Sequence, residues 1–161
     1  MTATRRSFLQ GLLVGAGATA LGGYAFAAET FEVVKSDAEW KRILSPAAYQ
    51  VMRHEYTEEP GTSPLLREHR KGTFACAACG LALFSSDTKF ESGTGWPSFY
   101  KPIANAVGTK VDNSDPFESR TEVHCRRCGG HLGHVFNDGP KPTGLRYCMN
   151  GVSLKFIPAA S

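Results

Sequence analysis

The sequence predicts a mostly β domain preceded by a short helical segment, and three observations carry that reading. Short apolar and aromatic runs recur beyond Lys71. Gly, Pro, Asn and Asp separate them, as in antiparallel strands joined by tight turns. A helical pattern with capping residues is confined to about residues 37–55. The 161 residues, 42% hydrophobic, 20% charged and 11% aromatic, have an ordinary globular composition, which excludes disordered and collagen-like chains. The formal charge of +3 includes Arg5 and Arg6 of a leader; without them the remainder is near +1, with no basic excess to mark a nucleic-acid binder.

Residues 1–27 read as a cleaved export signal: a basic start, an apolar middle from Phe8 to about Ala20, and small residues at Ala25-Phe26-Ala27. The start, TRRSFLQ, resembles the twin-arginine (Tat) signal, an address read by a translocase that moves folded proteins. Its expected partner is therefore the Tat translocase, and its expected location periplasmic or otherwise extracytoplasmic. The apolar middle is Gly- and Ala-rich and short of the roughly 20 residues of a spanning helix, so no stable membrane span is expected. With cleavage after Ala27, residues 28–161 form a single domain large enough for a core of normal size.

Within that domain Asp37–Leu44 and Ala47–Glu55 have helical character, with Asp37 placed to cap the first and Ser45-Pro46 to start the second. Glu58 to Pro64 is a loop by composition. Strands are expected at Thr73–Ala75, Leu81–Phe84, Glu122–His124, His134–Phe136 and Val152–Phe156.

The chemistry begins with the five cysteines. Cys76-Ala77-Ala78-Cys79-Gly80 and Cys125-Arg126-Arg127-Cys128-Gly129 are two CxxCG knuckles, each able to aim two thiolates at one point while its Gly permits the turn. Together they make a four-thiolate site suited to one structural zinc with no open coordination position. The 45-residue gap between Cys79 and Cys125 means that the metal staples distant parts of the domain. A pair of disulfides or a thioredoxin-like redox CxxC is the competing reading in an oxidising compartment. Folding before export would let the metal load among reduced thiols.

Cys148 is left over. Taken alone it is a packing residue or a nucleophile. A thiol of ordinary pKa, about 8.5, is only a few per cent thiolate at pH 7, so a nucleophilic role requires a positive or hydrogen-bonding neighbour. Arg146, His131 and His134 are candidates; the histidine pair could equally be a second metal site or two surface residues.

Three collinear segments and the two knuckles carry a family resemblance. SGTGWPSF at Ser92 to Phe99, HLGHVFNDGP at His131 to Pro140 and RYCMNGVSL at Arg146 to Leu154, framed by the knuckles, resemble the B-type methionine sulfoxide reductases, which reduce the R epimer. The likeness runs from about Asp37 to Phe156 and implies a domain of two antiparallel sheets with a structural zinc remote from the active site. It implies Cys148 as the nucleophile and Trp96 as the indole that receives the substrate methyl. His134 and Asn150 match the groups that bind the sulfoxide oxygen and help deliver its proton; Asp138 and His131 match their supports, and Phe136 and Arg146 match pocket positions. Gly93, Gly95 and Pro97 shape the loop that carries Trp96.

Oxide is a poor leaving group, so the oxygen must gain a proton as sulfur is attacked, leaving Cys148 as a sulfenic acid. Many family members reduce it with a resolving cysteine where this sequence has Thr94. With four thiols assigned to zinc none remains here, so the expected reductant is an external thiol, thioredoxin-like or other. The expected substrates are oxidised proteins bearing methionine-R-sulfoxide, with free sulfoxide the lesser one. Two other classes are a non-catalytic zinc-stapled binding module and a peroxide-reducing thiol protein. The joint presence of Cys148, Trp96 and the HLGH stretch argues against both. The GCFW-like motif of the A-type reductases is absent.

Overall fold

The computed structural model describes residues 29–160. The leader expected at 1–27 therefore lies outside the described residues. Among the described residues no helix is long and apolar enough to cross a membrane.

Two short helices open the domain. Helix α1 spans Asp37–Ile43 and α2 spans Pro46–His54. The cap of α1 is Ser36 rather than Asp37. Ser36 is extended and its hydroxyl accepts from the Glu39 amide, while the Glu39 carboxylate accepts from the Ser36 amide at 2.9 Å, a reciprocal capping box. Asp37 sits instead in the first turn, where its charge suits the helix dipole and its carboxylate accepts from the Tyr49 hydroxyl. Pro46 disfavours helical geometry at the residue before it, so Ser45 stays extended and caps α2 through a 3.2 Å bond from the Ala48 amide.

Among the described residues nine strands follow: β1 Gly72–Cys76, β2 Ala82–Ser85, β3 Lys89–Phe90, β4 Ser98–Phe99, β5 Val107–Asp112, β6 Arg120–Cys125, β7 His131–Phe136, β8 Arg146–Met149 and β9 Leu154–Pro158. They form two antiparallel sheets, β2-β1-β9 and β3-β4-β8-β7-β6-β5. Rings from both sheets meet in the core. Phe84 of the small sheet stacks on Phe99 of the large one at 4.4 Å, and Phe74 meets Phe99 edge-on at 4.9 Å. All three are fully buried, and each such pair contributes about 0.5–1.5 kcal/mol beyond the area that it hides. Val152 does not join a strand: Gly151–Ser153 form a 3₁₀ turn, closed by the Ser153 hydroxyl donating to the Asn150 carbonyl at 2.6 Å, and β9 starts at Leu154.

Two features of this topology position chemistry. Cys148 on β8 lies between His134 on β7 and Ser98 on β4 in register. The knuckles are hairpin turns, one from each sheet: Cys76 ends β1 and Cys125 ends β6. Gly80 (φ 74°) and Gly129 (φ 65°) take the left-handed conformation that returns their amides to the Cys76 and Cys125 carbonyls at 2.9 and 2.8 Å.

Candidate active site and cysteine cluster

A cavity of about 170 Å³ opens over Cys148, lined also by Thr57, Trp96, Arg120, Gly133, His134, Phe136 and Asn150. Gly133 is required by close approach, since a Cβ there would strike the Cys148 carbonyl. Thr94, where a resolving cysteine would stand, puts its hydroxyl oxygen 3.7 Å from the Cys148 sulfur. Ser92 holds that hydroxyl at 2.9 Å and reaches Ser98 at 2.7 Å.

Two of the other walls, Trp96 and Asn150, are tied together by Glu58. Its carbonyl accepts from the Trp96 indole N–H at 2.8 Å, its amide donates to the Asn150 side-chain oxygen at 2.8 Å, and its carboxylate accepts from the Gly151 amide at 2.5 Å. Asn150 in turn donates to the Leu132 carbonyl at 3.1 Å, so its amide group is fixed at both ends.

His134 lines the cavity and its Nε2 lies 2.7 Å from Asp112, which pairs with Arg120 at 3.1 Å. Hydrogen bonds from Ser114, then from His134, with the Arg120 charge, hold the Asp112 carboxyl well below the usual carboxylate range despite its burial. Burial pushes the His134 imidazolium down from its ordinary value, and the neighbouring Arg120 and His131 act in the same direction; Asp112 opposes them. An ionised Asp112 fixes the hydrogen of neutral His134 on Nε2, and it stabilises the imidazolium when one forms. Asp112→Asn is therefore expected to lower the His134 pKa further, to move the alkaline limb of kcat/KM to lower pH, and to cut the rate at pH 7 by about tenfold per pKa unit lost. A pH profile that superimposes on the parent's contradicts this role.

The other expected site residues lie around the cavity. His131 is 2% exposed and does not line it; its ring stands edge-on to His134 at 5.4 Å, and its Nδ1 lies 2.7 Å from the buried Glu122. Burial opposes ionisation of Glu122, but the nearby His124 ring, the hydrogen bond with His131 and the ion pair with Lys110 outweigh it and hold the carboxyl low. Asp138 also stands off the cavity, 62% exposed, in a two-pronged ion pair with Arg146 at 2.8 Å on each side. Arg146 and Cys148, two apart on β8, face the same way, and the guanidinium lies 4.4 Å over the Phe136 ring. Gly93 and Gly95 have positive φ and Pro97 is buried, in the turn that presents Trp96.

Sequence reasoning missed Thr57, Glu58, Asp112, Arg120 and Glu122. Asp112 and Arg120 are cross-strand partners at the end of the β5–β6 pair. Recognising that hairpin was the one signal that could have found them.

The four knuckle sulfurs lie within 4.8 Å of one another, Cys76 to Cys128 at 3.7 Å and Cys79 to Cys125 at 3.5 Å. Tetrahedral coordination at about 2.3 Å from each sulfur places sulfurs about 3.8 Å apart, so the cluster already has the dimensions of a metal site. Cys76, Cys125 and Cys128 are buried and all five cysteines are free. The segment before α1 covers the second knuckle: the Val33 amide donates to the Arg127 carbonyl at 2.9 Å, and Arg53 of α2 donates to the Cys128 carbonyl at 3.3 Å.

Comparison with known proteins agrees with this geometry. The SelR domain family matches residues 44–158. "Peptide methionine sulfoxide reductase MsrB" of Leptospira interrogans serogroup Icterohaemorrhagiae serovar Lai is 57% identical over 126 residues, covering 78% of this chain and 96% of that protein. Proteins of the same name from Methanosarcina barkeri (56% over 124 residues, 77% of this chain and 87% of the relative) and Agrobacterium fabrum (50% over 127 residues, 79% and 94%) are similar across the same domain.

Proposed function

This chain belongs to the SelR-domain family of methionine sulfoxide reductases, and from that membership we propose that it reduces the R epimer of methionine sulfoxide in oxidised polypeptides. The observation that carries the proposal is one small cavity holding the Cys148 thiol, the Trp96 indole and an Asp112-paired His134. The Cys148 sulfur, in its thiolate form, attacks the sulfoxide sulfur while Trp96 and Phe136 receive the methyl group. His134 and Asn150 hold the oxygen and see to its protonation. Oxygen passes from the methionine sulfur to the cysteine sulfur: methionine is released, reduced by two electrons, and Cys148 is oxidised by two to a sulfenic acid.

Regeneration needs two electrons from outside. Two equivalents of an external thiol, or one dithiol, form a mixed disulfide with Cys148, release water, and leave as disulfide. Cys76, Cys79, Cys125 and Cys128 would hold one zinc ion, which would contribute folding energy and take no part in the reaction. The twin-arginine leader directs the folded enzyme through the Tat translocase to the periplasm, where it repairs oxidised proteins.

One turnover without reductant tests the chemistry. We expect one methionine released per chain and, with dimedone present, Cys148 converted from the sulfenic acid to its dimedone thioether, read in mass spectra. A disulfide between Cys148 and a knuckle cysteine, with zinc released in every cycle, would overturn the external-thiol scheme.

A further inference from the structure

We infer, on the reading that Cys148 reduces methionine sulfoxide, that an apolar groove beside its pocket seats an apolar side chain flanking the sulfoxide in the substrate polypeptide. The groove, about 380 Å³, is lined on its apolar side by Ala47 and Val51 of α2, Tyr56 and Val152. Thr57 lines both this groove and the Cys148 cavity, so the two sites share a wall. That wall is rigid, because the next residue, Glu58, is bonded at once to Trp96, Asn150 and Gly151. The spacing between the groove and the reacting sulfur is thereby fixed.

The occupant follows from size and chemistry. The Cys148 cavity, at about 170 Å³, accepts the end of one side chain, so the substrate backbone and its neighbouring residues must lie outside on the adjoining surface. An extended chain advances about 3.3–3.6 Å per residue, which carries a neighbouring side chain across a strap one residue wide. Methionine is an interior residue type, and its sequence neighbours in buried segments are often apolar as well. Tyr56, 63% exposed at the groove, presents a ring that such a neighbour would cover. The groove thus fits a sulfoxide carried on an unfolded core segment better than one in a polar loop.

The test compares four R-sulfoxide substrates with dithiothreitol on the full metal-loaded chain: N-blocked methionine sulfoxide, a Gly-flanked blocked peptide, and two peptides with Phe before or after the sulfoxide. A Phe flank in the groove is expected to lower KM about tenfold relative to Gly. Tyr56→Ser, and separately Ala47→Glu on the exposed face of α2, should abolish that advantage and leave turnover of the blocked amino acid unchanged. Equal KM for Gly- and Phe-flanked peptides overturns the groove while leaving the reductase reading intact. So does a variant that slows the blocked amino acid as much as the peptide. A concentration-dependent dimer dissolved by Tyr56→Ser would assign the groove to a second copy of the chain. No turnover of the blocked amino acid sinks the reductase reading, and this inference with it.

Discussion

Cys148→Ser is expected to abolish sulfoxide turnover, by about four orders of magnitude or more, while leaving the fold in place. The substitution exchanges sulfur for oxygen at a half-buried position on β8 whose backbone stays paired with β7 and β4. Little packing volume is lost, so stability should stay within about 1 kcal/mol of the parent. The chemistry, by contrast, has no substitute. A serine hydroxyl is scarcely ionised at neutral pH, and none of the other four thiols lines the cavity. Retained turnover in a folded Cys148→Ser protein would reject Cys148 as nucleophile; the measurement is kcat/KM with dithiothreitol beside a thermal melt.

Cys76→Ser carries the second large effect, on stability. Cys76 is fully buried at the end of β1, and its sulfur sits 3.7 Å from that of Cys128, so the pair bridges the small sheet and the large one. Removing one of four thiolates opens the shell, and metal-binding energy in such sites is folding energy. The variant also buries a hydroxyl among sulfurs. Loss of the bound metal and a destabilisation of about 3 kcal/mol or more are expected, read by elemental analysis and by the shift of the melting curve. A metal-free parent, or an unchanged melt in the variant, would contradict the staple.

What could be read from the sequence divides along the range of the interactions. The knuckles were legible because two cysteines and a glycine act over five residues, and the structure brings the four sulfurs together. The second helix was legible because Ser45 and Pro46 act on their immediate neighbours. Its companion was misjudged by one residue, since both Ser36 and Asp37 can cap and only the Glu39 side chain decides between them. Strand β5, mostly polar and exposed, has no alternating apolar face to betray it, and β8 carries its pattern within a motif rich in polar groups. With β5 unseen, the pairing of Asp112 with Arg120 and their reach to His134 were out of sight. Glu58 was hidden for a related reason. Its partners lie 38 and more residues away, and two of its three bonds use its backbone carbonyl and amide, which carry no mark of the side chain.

The central claim is that Cys148 and its cavity reduce one epimer of methionine sulfoxide. The most direct measurement is turnover of the separated R and S epimers of N-blocked methionine sulfoxide by the zinc-loaded protein with dithiothreitol as reductant. Reduction of R alone is the predicted result, because only one hand of the sulfoxide can present its oxygen to His134 and Asn150 with its methyl group against Trp96. Equal reduction of both epimers, or of neither by folded metal-bound protein, would contradict it.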